Sequence, residues 1–204
     1  MLISQLNFSP SLHMPSSHKI IIITAPSGAG KTSITRYLLK TFPDKLAFSI
    51  SAATRQKRDH EKDGMDYYFM SVDEFKEKIQ HNLFVEWEMV YEGKYYGTLK
   101  SEIHRIWKEE KTPLLDIDVQ GAVHVQQLHR EQSLSIFIEP PSVDELKRRL
   151  SSRGTETAES LATRLNKATY ELSFKDHFDK VIVNDNLENA CKEAEKVVSD
   201  FLST

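Results

Sequence analysis

A chain of 204 residues, 39% hydrophobic and 28% charged, is long enough to bury one core of ordinary domain size and too apolar to be disordered throughout. A formal net charge of −3 provides no basic footprint for nucleic acid or an anionic membrane, and the longest purely apolar run, Ile20–Ile23, is far below the roughly 20 residues that cross a bilayer. The single cysteine, Cys191, excludes an internal disulfide and fits a reducing, cytoplasmic setting, with a small apolar role in a C-terminal helix.

Residues 1–17 lack both the basic start and the long apolar stretch of a signal peptide and are expected to form a disordered tail, with Met14 as a second candidate start. Ile20–Thr24 reads as a strand, followed by a glycine-containing turn and a helix near Thr32–Thr41 that Pro43 closes. Ala47–Ala52 reads as a second strand. Ser71-Val72-Asp73-Glu74 is a capping box that opens a helix to about Gln80. A helix over Lys100–Glu110, a strand over Pro113–Ile117, a helix over Gly121–His129 and a strand over Leu134–Ile138 follow. Ser142 caps a helix to about Ser152, and a long helix is expected over Thr157–His177. The chain closes with a strand at Lys180–Val183 and a helix at Leu187–Leu202.

Strands alternating with helices give the fold class as α/β, a parallel sheet flanked by helices. Two stretches break the rhythm. Ser51–Thr98 is rich in Tyr, Arg, Lys and Asp, as an inserted lobe would be, and Arg153–Glu159 is a second irregular patch between helices.

The turn after the first strand, Ala25-Pro26-Ser27-Gly28-Ala29-Gly30-Lys31-Thr32, fits the P-loop pattern with Ala25 in place of the usual first glycine. Glycines let the backbone curl so that successive amides face phosphate oxygens, and the helix N-terminus adds partial positive charge. Ala25 to Ser33 would hold the ATP phosphates, Lys31 meeting the β- and γ-phosphates, and the Thr32 hydroxyl could ligate Mg2+. Leu114-Leu115-Asp116-Ile117-Asp118 is an apolar strand ending in acid. Its two carboxylates at period two share a face, which suits metal chemistry, although an acid there also suits a cap on the next helix.

Within the irregular stretch stand Arg55 and Arg58, three apart, with Tyr67 and Tyr96, donors suited to a phosphomonoester dianion. Glu86 lies in the apolar and aromatic run Phe84-Val85-Glu86-Trp87, where an unpaired carboxylate is costly. A carboxylate can pair with the N1–H and N2 amino donors of guanine, whereas adenine N1 would repel it.

These segments resemble the guanylate kinase family. The resemblance runs from about Lys19 to the C-terminus through Ala53-Thr54-Arg55-Gln56-Lys57-Arg58, Asp66-Tyr67-Tyr68-Phe69, Tyr95-Tyr96-Gly97-Thr98, the Asp116/Asp118 strand, Arg153-Gly154-Thr155-Glu156-Thr157 and Val181-Ile182-Val183-Asn184-Asp185. Ala53 stands where the family usually has Thr, a departure at no position the site needs. The resemblance implies a P-loop NTPase core (18–50, 99–150 and 171–204), a GMP-binding lobe (51–98) and a small lid (151–170). It also implies transfer of a phosphoryl group from ATP to GMP with Mg2+ as cofactor, dGMP being an open alternative acceptor. Arg55, Arg58, Tyr67 and Tyr96 would grip the GMP phosphate. Ser51, Glu86, Thr98 and Asp118 would surround the guanine, and Asp116 would reach the metal through water. Arg153 and Arg164, with Arg149 as a third, would be lid arginines beside Lys31, and Asn184 would lie near the adenine. Two other outcomes fit the same fold: a non-catalytic guanylate-kinase-like binding module, and a related kinase with a different phosphorylated acceptor.

Overall fold

The computed structural model describes residues 18–151 and 158–204, so the expectations for the tail and for Arg153 lie outside the described residues. The elements in chain order are β1 (Ile20–Thr24), α1 (Lys31–Thr41), β2 (Leu46–Phe48), β3 (Ala52–Ala53), β4 (Tyr68–Phe69), α2 (Val72–Gln80), β5 (Phe84–Tyr91), β6 (Lys94–Leu99) and α3 (Lys100–Lys108). They continue as β7 (Thr112–Asp116), α4 (Val119–Leu128), β8 (Ser133–Glu139), α5 (Val143–Ser151), α6 (Ala158–Leu172), β9 (Lys180–Val183) and α7 (Leu187–Ser203).

The run of four isoleucines in β1 is buried throughout because this strand lies at the centre of a parallel sheet, order β2-β7-β1-β8-β9, covered on both faces. Period-two alternation divides the strand. Ile21 and Ile23 pack with Ile34 and Leu38 of α1 and Ala190, Cys191, Ala194 and Val198 of α7. Ile20 and Ile22 pack on the other face with Ile103 of α3 and Val119, Ala122 and Val125 of α4. This is the expected α/β core, and Cys191 has the small apolar role expected of it. Among the described residues no helix is long and apolar enough to cross a membrane.

A second, four-stranded sheet, order β4-β3-β6-β5, occupies the stretch that broke the strand–helix rhythm. Its hairpin β5–β6 sets Glu86 opposite Thr98, and α2 lays Phe75 against Phe84 in the small core beneath it. The capping box is present in part as expected, with the Ser71 hydroxyl accepting from the Glu74 amide at 3.1 Å.

Two expected elements divide. Ala47–Ala52 is two strands in two sheets, β2 ending at Phe48 and β3 beginning at Ala52. The ladder is interrupted because the Ile50 amide donates to the Glu102 side chain at 3.0 Å, turning the chain from one sheet toward the other. The helix expected to run to His177 ends at Leu172 and is followed by a 3-10 turn over Lys175–His177. There the Ser173 amide and hydroxyl both donate back to the Tyr170 carbonyl.

Candidate active site

The loop from Ala25 to Thr32 leaves the central strand and enters α1. Gly28 and Gly30 take φ of +95° and +99°, the left-handed region that side chains avoid. Gly30 is fixed on a second ground, since a Cβ there would sit 2.1 Å from Asn184 Nδ2. That nitrogen donates to the Ala29 carbonyl at 2.7 Å in a buried bond. Asn184, expected near the adenine, is therefore beneath the phosphate loop. Arg149 is on the same underside, donating from Nη2 to the Asn184 carbonyl at 3.0 Å and from Nε to Glu145 at 2.8 Å. No acidic residue occupies the first turn of α1, so nothing there offsets the positive end of its dipole.

Lys31, the first residue of α1, pairs with Asp116 at the end of β7 and donates to the Ile117 carbonyl at 3.1 Å. Asp116 also accepts from the Thr35 hydroxyl at 3.4 Å. Asp118 caps α4, its Oδ1 accepting from the Gly121 amide at 2.9 Å. The cap and the site therefore share one residue, and the two uses do not exclude each other.

At the far end the Glu86 carboxyl is 5% exposed, and its Oε1 accepts from the fully buried Thr98 hydroxyl at 2.6 Å. Burial pushes the Glu86 carboxyl up to about 7; the Thr98 hydrogen bond opposes this, and the charges of Asp118 and Glu88 reinforce it. Its second oxygen lies against the first turn of α4, where a Cβ on Gly121 would come within 2.7 Å of it. Gly121 thus makes room for the carboxylate.

Arg55 is held by Glu61 through two hydrogen bonds of 2.6 Å, with its guanidinium 4.8 Å from the centre of the Tyr67 ring. Arg58 follows three residues on and is 68% exposed along its side chain. Tyr67 and Tyr96 meet edge to face at 6.1 Å.

A cleft of about 450 Å3 opens among these groups; Tyr67 and Tyr96 line it, whereas Arg55 and Arg58 are not among its lining residues. Ala25 to Gly28, Gly30, Lys31 and Thr32 form one wall, Ser51, Tyr67, Glu86, Glu88 and Tyr96 the other, and Asp116 and Asp118 lie between them. Ala29 is buried behind the loop and Thr98 behind Glu86. Ser33 is exposed and outside the cleft lining. Arg164 is half-buried on α6, at positions i, i+3 and i+7 with Lys167 and Glu171, which do line the cleft.

Four residues of this arrangement carried no signal of their own in the sequence. Glu61 and Gly121 each act on a neighbour rather than on the cleft. Glu102 is buried at the junction of the sheets, accepting from Ile50, the Tyr68 hydroxyl at 2.8 Å and Arg105. Glu171 is a buried carboxyl on the cleft wall, raised above the usual range by that burial. A hydrophobic run flags a misplaced acid such as Glu86, whereas Glu61 and Glu102 sit among charged neighbours and Glu171 stands at an ordinary helical position.

A guanylate kinase family model matches residues 17–201. The chain is 47% identical over 190 residues to a guanylate kinase of Bacteroides fragilis, covering 93% of each chain. To one of Porphyromonas gingivalis it is 45% identical over 185 residues, covering 91% of this chain and 98% of that one. A solved guanylate kinase structure from Anaplasma phagocytophilum superposes with a TM-score of 0.72 at 28% identity, covering 93% of this chain and 88% of that one.

Proposed function

The chain belongs to the guanylate kinase family, and from that premise we propose that the cleft beside Lys31 holds both substrates of ATP:GMP phosphotransfer. ATP lies over the Gly28–Thr32 loop, and GMP lies against Glu86. The observation that carries this reading is that a single cleft has the Lys31 loop on one wall and the buried Glu86 carboxyl on the other. In the wider proposal residues 51–98 are the GMP-binding lobe, 151–170 the lid, and the setting cytoplasmic.

The acceptor is a phosphate oxygen that is already anionic near neutral pH, so no strong general base is required. Positioning and charge neutralisation do the chemistry. Lys31 leaves Asp116 for the β- and γ-phosphates. The loop amides and the N-terminus of α1 hold the same oxygens. Arg55 and Arg58, with the Tyr67 and Tyr96 hydroxyls, take the GMP phosphate and offset repulsion between two anionic substrates. Ser51, Thr98 and Asp118 complete the guanine site around Glu86. Arg153 and Arg164 close on the transferring group from the lid, and Arg149 joins them by releasing Glu145. Asn184 serves the ATP side through the loop it supports.

The Thr32 hydroxyl and the Asp116 carboxylate are hard oxygen donors on the cleft wall, the donor chemistry that suits Mg2+. They would hold it directly and through water respectively. Bound with ATP, the ion spreads the charge of the β- and γ-oxygens. Exclusion of water by lobe and lid keeps ATP from hydrolysis.

An intact Lys31 and an intact loop argue against a binding module that has lost catalysis. Replacing Lys31 with Ala should lower GMP-dependent ADP formation by on the order of 10³-fold or more, because it removes a principal charge from the transition state. Near-normal turnover in that variant would contradict the assignment.

A further inference from the structure

Glu61 lies in the loop between β3 and β4, where a carboxylate is ordinarily solvated, yet it is 6% exposed. It takes Arg55 end-on: Nη2 donates to Oε1 and Nη1 to Oε2, each at 2.6 Å. Oε2 also accepts from the backbone amide of Arg58 at 2.9 Å. One carboxylate thus fixes the side chain of the first arginine and the main chain of the second.

A guanidinium presents two edges to oxyanions, an Nη1/Nη2 end and an Nε/Nη2 side. Glu61 occupies the end and leaves the side for a second anion. The rings of Tyr67 and Phe69, 4.8 and 5.4 Å from the guanidinium carbon, fix the plane of the group. Tyr67 is itself part of the cleft wall. The hydrogen bonds from Arg55 hold the Glu61 carboxyl down at about 2, so the anchor keeps its charge across the neutral range.

We propose that Glu61 is a positioning residue for the acceptor phosphate, holding Arg55 and the Arg58 main chain in the geometry that receives GMP. The inference rests on reading Arg55 and Arg58 as the phosphate grip. Two unheld arginines would repel each other and lose side-chain freedom on binding; Glu61 does that ordering beforehand. Its end-on placement distinguishes an anchor from a competitor, since an anchor remains when phosphate arrives.

The test compares wild type with Glu61→Gln and Glu61→Asp in steady-state kinetics, and by calorimetry with GMP and with guanosine, which lacks the phosphate. Glu61→Gln should raise the KM for GMP about tenfold to a hundredfold, the range for removing a partner that orients a binding group. The KM for ATP should stay within about twofold and guanosine affinity should be unchanged. Glu61→Asp, charged but too short to reach all three donors, should fall between, and it decides the matter if the Gln variant does not fold. An unchanged or lower KM for GMP would overturn the proposal, as would an equal loss of GMP and guanosine affinity or a parallel rise in the KM for ATP. Wild type without GMP-dependent turnover would instead overturn the reading of the cleft.

Discussion

Glu86 is a carboxyl whose burial works against the charge its partner needs. The unfolded chain ionises it near 4.5, and the folded protein near 7. Between those values unfolding releases a proton, so rising pH favours the unfolded state; the penalty is complete above about 7 and absent below about 4.5. Glu86→Gln should therefore raise stability at pH 8 by as much as about 3 kcal/mol and leave it unchanged near pH 4. Denaturant midpoints at the two pH values check this, and equal effects at both would contradict it. In the proposed guanine site the charged form would accept the guanine donors, so guanosine affinity, free of phosphate titration, should fall as pH drops through about 7. At this scale the sequence was most legible where a residue violated its surroundings. Glu86 stood out in an apolar run and Lys31 in a glycine turn. Glu61 and Gly121 did not, because a carboxylate among arginines and a glycine in a helical turn are ordinary until their neighbours are placed.

The phosphate loop is an element whose shape is set from below. Asn184 at the end of β9 joins Ala29 to α5 through Arg149, so the loop, the last strand of the sheet and α5 form one support. Asn184→Ala should cost about 1–3 kcal/mol by leaving the buried Ala29 carbonyl without its donor. It should also raise the KM for ATP more than the KM for GMP. Thermal unfolding and paired KM values read both effects, and equal rises in the two KM values would contradict a role confined to the loop. Regular elements were legible where periodicity and caps agreed, as in β1, with its isoleucines shared between two faces, and α2, with its Ser71 cap. The single strand expected over Ala47–Ala52 was not, because Ile50 turns aside to a glutamate distant in sequence, Glu102. Local pattern carries no trace of such a contact.

In the whole molecule the proposed function divides the two substrates between the two sheets. The parallel sheet delivers Lys31 and Asp116 from strand and helix ends, and the smaller sheet delivers Glu86, Thr98 and Tyr96 from one hairpin. Glu102 ties them, binding the chain at Ile50, the Tyr68 hydroxyl of the small sheet and Arg105 of its own helix. Strand–helix alternation and its interruption made this division legible in the sequence, but the Glu102 tie became visible only once distant segments met. If one wall provides a triphosphate cradle and the other a carboxylate for guanine, the enzyme must distinguish acceptors by base. The most direct measurement is ADP formation from MgATP with GMP, dGMP, AMP, UMP and ribose bisphosphate compared as acceptors. A site built to pair polar groups rejects mismatched ones strongly, so GMP should be turned over with kcat/KM at least about 10³-fold above AMP and UMP. Equal turnover of AMP, or preference for the sugar bisphosphate, would contradict the account.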